Sequence, residues 1–293
     1  MTASNARARV VLFGVGALGA LMLDCLKTGY PLIEIVGAVD NDPAKIGRRL
    51  GDLCPGAPGG NVVVAPTLAD CLARLTAPAH LLYHVTESVL AHVEGQMIAA
   101  LDAGLNVLSA SEAMFHPALR YPDVAARLDA AARRKAVSIS GTGINPGFSF
   151  DSLPLVLARV TSGVTRINIA RTIDVTGTGP GDIDHVGYGL WPAEFDEKIR
   201  SGRIVGHMGG PESIACLAER LNMDVDHVVQ RWQTSIAKIP VDSGTPSLGM
   251  IEPGRVIGIT QEIAGLQGDA TRISLRLIMY YTSLTRGPEN PLG

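Results

Sequence analysis

An apolar run that stops on a glycine triplet, Val10-Val11-Leu12-Phe13-Gly14-Val15-Gly16-Ala17-Leu18-Gly19, limits what this chain can fold into more than any other feature. Consecutive apolar residues ahead of G-x-G-x-x-G predict a buried strand that turns sharply into a helix. Gly14 is placed for the tight turn, Gly16 for close approach of a pyrophosphate, and Gly19 for close packing of helix on strand. Ala17 and Leu18, in the first helical turn, would offer backbone N–H groups to the phosphates. The triplet alone would be a weak signal, but its strand–turn–helix setting makes a chance glycine turn the poorer account.

From Val10 to Ser140 short β-branched or Leu-rich runs alternate with segments of helical period, the pattern of a parallel sheet with crossover helices. The expected strands are 9–13, 33–39, 62–64, 81–85, 106–109 and 137–140, with helices at 18–27, 68–75, 89–103 and 122–134. Past Gly141 the character changes. A helix from Asp151 to Thr161, with Asp151 as N-cap and Pro154 in its first turn, leads into a strand over 165–175. Strands over 255–266 and 271–281 join as a hairpin through Gln267-Gly268-Asp269, and helical segments are expected between Pro192 and Trp232. The fold class is therefore α/β: a Rossmann domain with a doubly wound parallel sheet over 1–143, then an α+β domain over 144–293 with an open, largely antiparallel sheet. The glycine-rich stretch 176–189 reads as a loop or lid.

Composition excludes several classes. With 293 residues, 46% apolar and 18% charged, and a formal net charge of -3, the chain has no basic surplus for a nucleic acid. No stretch of about 18 uncharged apolar residues is present, so no membrane span is expected. Four cysteines without a C-x-x-C pair read as free thiols in a reducing, cytoplasmic setting. Seven histidines without ligand spacing predict no metal.

Asp40 ends the second expected strand, twenty-one residues after Gly19, where a carboxylate can accept hydrogen bonds from an adenosine ribose and repel a 2′-phosphate. That points to NAD(H), while Lys45, Arg48 and Arg49 close by leave NADP(H) open. Thr86 after the fourth strand, and Ser111 and Glu112 after the fifth, fall at the carboxyl edge of the sheet and would face the nicotinamide half. Glu112 there can orient a cationic substrate and take its proton, or can be a solvated acid at a helix start. Asn145, in Asn145-Pro146-Gly147, can bind the carboxamide or the substrate, or serve only in a turn. His185, Tyr188 and His207 are candidate pocket groups, with structural roles as the alternative.

Four segments together resemble a known family: Gly14 to Gly19; Asn106-Val107-Leu108-Ser109-Ala110-Ser111-Glu112; Gly141-Thr142-Gly143-Ile144-Asn145-Pro146-Gly147-Phe148 with Asp151 and Leu153-Pro154; and Gly206-His207-Met208 with Glu212-Ser213. The chain resembles the 2,4-diaminopentanoate dehydrogenases and the native amine dehydrogenases, whose N-terminal domain is similar to that of dihydrodipicolinate reductase. The histidine-pair and K-x-D-A-P-S-G-T substrate motif of that reductase is absent. The resemblance implies reversible NAD(P)-dependent deamination of a primary amine, or reductive amination of a ketone or aldehyde with ammonia, with Glu112 as the catalytic carboxylate. Competing readings are a diamino-acid dehydrogenase, disfavoured by the weakly basic 176–189 stretch, an ammonia-independent carbonyl reductase, and a nicotinamide-binding module without turnover. The end at Gly293, short of the usual family length, implies a missing C-terminal strand and helix. A homodimer is expected from apolar residues on both alternations of 255–281: Val256, Ile257, Ile259, Leu275, Leu277 and Ile278.

Overall fold

Val10 and Leu12 pack into a core on one face of the first sheet and Val11 into a core on the other, and all three are buried. Because side chains alternate along a strand, such a run needs helices on both faces of its sheet. The computed structural model describes residues 7–87, 89–176, 183, 186–204 and 206–281. The chain divides into two compact units, Met1–Gly143 and Ile144–Gly293.

The first unit has strands β1 (Ala8–Phe13), β2 (Ile33–Val39), β3 (Val64–Ala65), β4 (Leu81–His84), β5 (Asn106–Ser109) and β6 (Ile139–Gly141). All pairings are parallel, in the order β3-β2-β1-β4-β5-β6. This is the doubly wound order, in which the chain works outward from β1 and then returns to the other side at β4. The crevice at the carboxyl ends of β1 and β4 is where such sheets take ligands. Among its helices, α1 (Ala17–Leu26) follows β1, α2 (Leu50–Leu53) follows β2, α3 (Leu68–Ala73) follows β3, α4 (Leu90–Asp102) follows β4 and α5 (Pro122–Lys135) precedes β6. Leu90, Val93, Met97, Ala100 and Leu101 bury one stripe of α4 at three- and four-residue spacing. Gln96, one residue off that stripe, lines the crevice.

The second unit opens with α6 (Ser152–Arg159) and β7 (Ile167–Asp174), followed by α7 (Pro192–Arg200) and α8 (Gly210–Leu221). Then come β8 (His227–Ile236), β9 (Val241–Asp242), β10 (Met250–Ile251), β11 (Val256–Gln267) and β12 (Ala270–Tyr280). The main sheet runs β7-β12-β11-β8, antiparallel except for the β12/β7 pair. Gln267 pairs with Ala270 across the two-residue turn Gly268-Asp269, as the hairpin reading expected. Ile214 and Leu217 of α8 are fully buried in one core with Ile263, Ile273 and Leu275 of the sheet.

One expectation needs correction. Trp232 lies in β8, not in the helical stretch, because Val228, Val229, Trp232, Thr234 and Ile236 favour a pleated edge. β8 is largely exposed, so its apolar alternation is too faint to read from the sequence. Of the residues on which self-association was expected to rest, Val256, Ile257, Ile259, Leu275 and Leu277 are buried in the unit's own core and Ile278 is half-buried. Residues 177–182, 184 and 185, which make up most of the expected lid, lie outside the described residues. No described helix is long and apolar enough to cross a membrane.

Candidate functional site

The turn from β1 into α1 is shaped by contacts that only glycine permits. Gly14 has φ +106°, and a Cβ there would collide with the Val85 carbonyl oxygen. A Cβ on Gly19 would collide with the Gly14 carbonyl oxygen, so the helix seats directly on the turn. Gly16, by contrast, has nothing within 4 Å of where its Cβ would stand. Gly16, Ala17 and Leu18 are exposed, and α1 starts with no side-chain cap and no acid in its first turn. An uncapped helix start beside open space at Gly16 suits a pyrophosphate, whose negative charge the free N–H groups and the helix dipole stabilise.

In front of this turn lies a crevice of about 670 Å³, lined among others by Gly14, Gly16, Asp40, Asn41, Lys45, Thr86 and Gln96. A dinucleotide fits such a cleft, which combines apolar walls with a few polar groups. Asp40 is only 8% exposed. Its Oδ2 accepts the Val15 N–H at 2.7 Å and meets Lys45 Nζ at 3.3 Å, and its Oδ1 accepts the Asp42 N–H at 2.9 Å. Burial pushes its pKa up, but the bonds from the Asp42 and Val15 amides and from Lys45 outweigh that and hold the carboxyl below its ordinary value. Asp40 therefore clamps the glycine turn to the end of β2. Asn41 is the exposed neighbour on the cleft wall. Asp40→Asn should leave one of the two backbone N–H groups without an acceptor, costing about 1–3 kcal/mol. A lowered thermal midpoint would register it, and an unchanged midpoint would refute the clamp. Because the folded pKa is depressed, the ionised clamp's stabilisation is present above the ordinary carboxylate value and is lost as pH falls through the folded value.

Thr86 stands at the cleft, and behind it lies a residue that the sequence reading passed over. His84, at the end of β4, is fully buried. Its Nε2 lies 2.9 Å from Gln96 Oε1 and 2.9 Å from Thr86 Oγ1, and its Nδ1 lies 3.0 Å from Ser109 Oγ. Burial pulls the imidazole below its ordinary pKa, more than the Gln96 bond and the Glu87 charge raise it. His84 shares a buried strand face with Leu82; a polar residue at an inward position of an apolar strand was the missed signal.

Ser111 and Glu112 follow β5. Ser111 is 4% exposed, its N–H donates to Ser109 Oγ at 3.1 Å, and it directly precedes a 3-10 turn, Glu112–Phe115, that opens on the half-buried Glu112. Gly141 in β6 backs this turn, since a Cβ there would come within 2.5 Å of the Met114 carbonyl.

In the second unit Asn145 is 7% exposed, and its Nδ2 meets His207 Nε2 at 3.2 Å. His207 Nδ1 donates to the Met208 carbonyl at 2.7 Å, leaving Nε2 as the acceptor for Asn145. Gln261 brackets His207, accepting its N–H at 3.0 Å and donating to its carbonyl at 3.1 Å. Asn145 Oδ1 is buried with no hydrogen-bond partner among the described residues. Asp151, fully buried, does more than cap α6. It accepts from the Gly147 N–H at 2.8 Å, the Ser152 N–H at 2.6 Å and the Ser213 hydroxyl at 3.0 Å, fixing the loop that carries Asn145. Tyr188 is 3% exposed in the core, edge-on to Tyr281. His185 lies outside the described residues. No described group of three or more His, Cys, Asp or Glu could hold a metal.

Residues 148–278 match the family model of the 2,4-diaminopentanoate dehydrogenase C-terminal domain. The family resemblance is borne out. The 2,4-diaminopentanoate dehydrogenase of Acetoanaerobium sticklandii is 27% identical over 272 residues, covering 92% of this chain and 75% of that protein. The amine dehydrogenase of Mycobacterium smegmatis superposes with a TM-score of 0.75 at 25% identity, over 94% of this chain and 78% of that one. A third structure, the WlbA dehydrogenase of Bordetella pertussis in complex with NADH and UDP-GlcNAcA, has a TM-score of 0.51 at 18% identity. It covers 92% of this chain and 66% of that one, a likeness of fold alone.

Proposed function

We propose that the protein is a nicotinamide-dependent amine dehydrogenase that interconverts a primary amine with a ketone or aldehyde and ammonia. The observation that carries this is the Glu112 carboxylate at the carboxyl edge of a sheet whose glycine turn and crevice suit a dinucleotide, in a chain similar to diaminopentanoate and amine dehydrogenases. The nicotinamide, when bound, accepts or supplies the hydride. NAD(H) is the cofactor favoured by the acidic Asp40 on the cleft wall, whose charge repels a 2′-phosphate; Lys45, paired to it at 3.3 Å, keeps NADP(H) admissible.

Gly16, Ala17 and Leu18 hold the pyrophosphate, and Thr86 and Ser111 line the nicotinamide half. Glu112 binds the substrate nitrogen and takes its proton as the carbon gives up its hydride. Water then adds to the iminium and ammonia leaves. In the reverse direction Glu112 stabilises the iminium that forms from carbonyl and ammonia. Asn145 Oδ1, a buried acceptor in want of a donor, is the second unit's group for taking an N–H from the substrate.

The test measures NADH oxidation with a panel of aliphatic carbonyls, cyclohexanone, 2-pentanone and pentanal, with and without ammonium. Turnover that requires ammonium is expected. Equal rates without it would favour a carbonyl reductase, and tight NADH binding with no rate on any carbonyl or amine would leave a binding module.

A further inference from the structure

His84 has no surface of its own, yet both its ring nitrogens have partners. A neutral imidazole donates from one nitrogen and accepts at the other. Nε2 lies 2.9 Å from both the Gln96 carbonyl oxygen, which only accepts, and the Thr86 hydroxyl, which takes either role; in the tautomer that serves Gln96, Nε2 carries the proton and Nδ1 accepts. The Ser109 hydroxyl, 3.0 Å from Nδ1, must then donate to it. That orientation leaves a Ser109 lone pair for the Ser111 N–H at 3.1 Å. With Nε2 as the donor, the chain runs from Ser111 N–H to Ser109, from Ser109 O–H to His84 and from His84 Nε2–H to Gln96. One end, Gln96, lines the cofactor crevice, and the other is Ser111, the residue from which the Glu112 turn starts.

We propose that His84 is a positioning residue for Glu112: through Ser109 it holds the main chain of Ser111 and so fixes where the Glu112 turn begins. Without the ring's lone pair the Ser109 side chain is free to change rotamer, which weakens the bond that its Oγ accepts from the Ser111 N–H. A small displacement of a reacting carboxylate is enough to slow a reaction that depends on its alignment. The proposal rests on Glu112 being the reacting carboxylate.

The variants are Ser109→Ala, nearly isosteric, His84→Gln, and the pair together. Hydrogen exchange should show faster exchange of the Ser111 amide in each variant, with β1 protected as before; an unchanged Ser111 amide overturns the proposal whatever the kinetics. With NADH, ammonium and the most active carbonyl of the panel, each single variant should lower kcat about ten-fold while NADH Kd stays within about two-fold. The double variant should lose no more than the worse single one, because both break one chain. An unchanged kcat, additive losses, or a loss carried by NADH affinity overturns the role. In a Glu112→Gln background neither change should lower the residual rate further, and an equal loss there means the chain acts on something else. Full activity of Glu112→Gln alone would be a failure of the functional reading itself, visible before any His84 or Ser109 variant is made, and would take the positioning role with it.

Discussion

Glu112→Gln is expected to lower ammonium-dependent NADH oxidation by about 100-fold or more while leaving NADH affinity within about two-fold. The substitution is isosteric, so the 3-10 turn that follows Ser111 and is backed by Gly141 keeps its shape. What it removes is the negative charge that balances a substrate ammonium or iminium, and the base that takes the proton from nitrogen. A neutral amide can still accept a hydrogen bond from the substrate, so the loss should fall on kcat more than on KM. Unchanged turnover would remove Glu112 from the reaction, and with it the amine dehydrogenase reading of this site. A loss matched by a fall in thermal midpoint would assign Glu112 to the fold instead.

The second large effect separates two glycines of one motif. Gly19→Ala places a methyl group against the Gly14 carbonyl, whose residue is itself tied to Val39 through its N–H at 2.8 Å. Helix α1 must move off the turn, and overpacking of this kind costs about 1–3 kcal/mol. Thermal stability and NADH affinity should fall together, the latter about ten-fold or more, because the helix start no longer aims its N–H groups at the pyrophosphate. Gly16→Ala has free space for its methyl group, so stability should hold while NADH affinity falls, the methyl group standing where the phosphate approaches. Wild-type NADH affinity in Gly16→Ala would mean that the pyrophosphate does not lie against this turn. Wild-type stability in Gly19→Ala would mean that the helix does not rest on it.

Much of the first unit was legible because its signals are local. Ile33–Val39 and Asn106–Ser109 have the bounds that the sequence predicts, and α4 and α5 follow from helical spacing. Edge elements were harder to read. β8 escaped because an exposed edge strand needs little apolar alternation, and β3, two residues long, blurred its own boundaries. In the candidate site, the glycines, Glu112 and Asn145 stood out as residue types in motifs. His84, Gln96 and Gln261 did not, since a lone polar residue in an apolar run is noise until its partners are known.

By itself the sequence determined the order of elements, the doubly wound sheet and the glycine turn, because alternation, helical period and glycine act between near neighbours. Only the tertiary structure decided what the polar residues do. It made Asp40 a clamp on Val15 as well as a cleft residue, made Asp151 the anchor of the Asn145 loop, and linked His84 to Ser109 across neighbouring strands. Those roles depend on hydrogen bonds between residues about 25 positions apart, such as Val15 with Asp40 and His84 with Ser109, or 62 apart, as in Ser213 with Asp151. A buried polar group must find its partner wherever the fold brings one, and no local pattern records that distance.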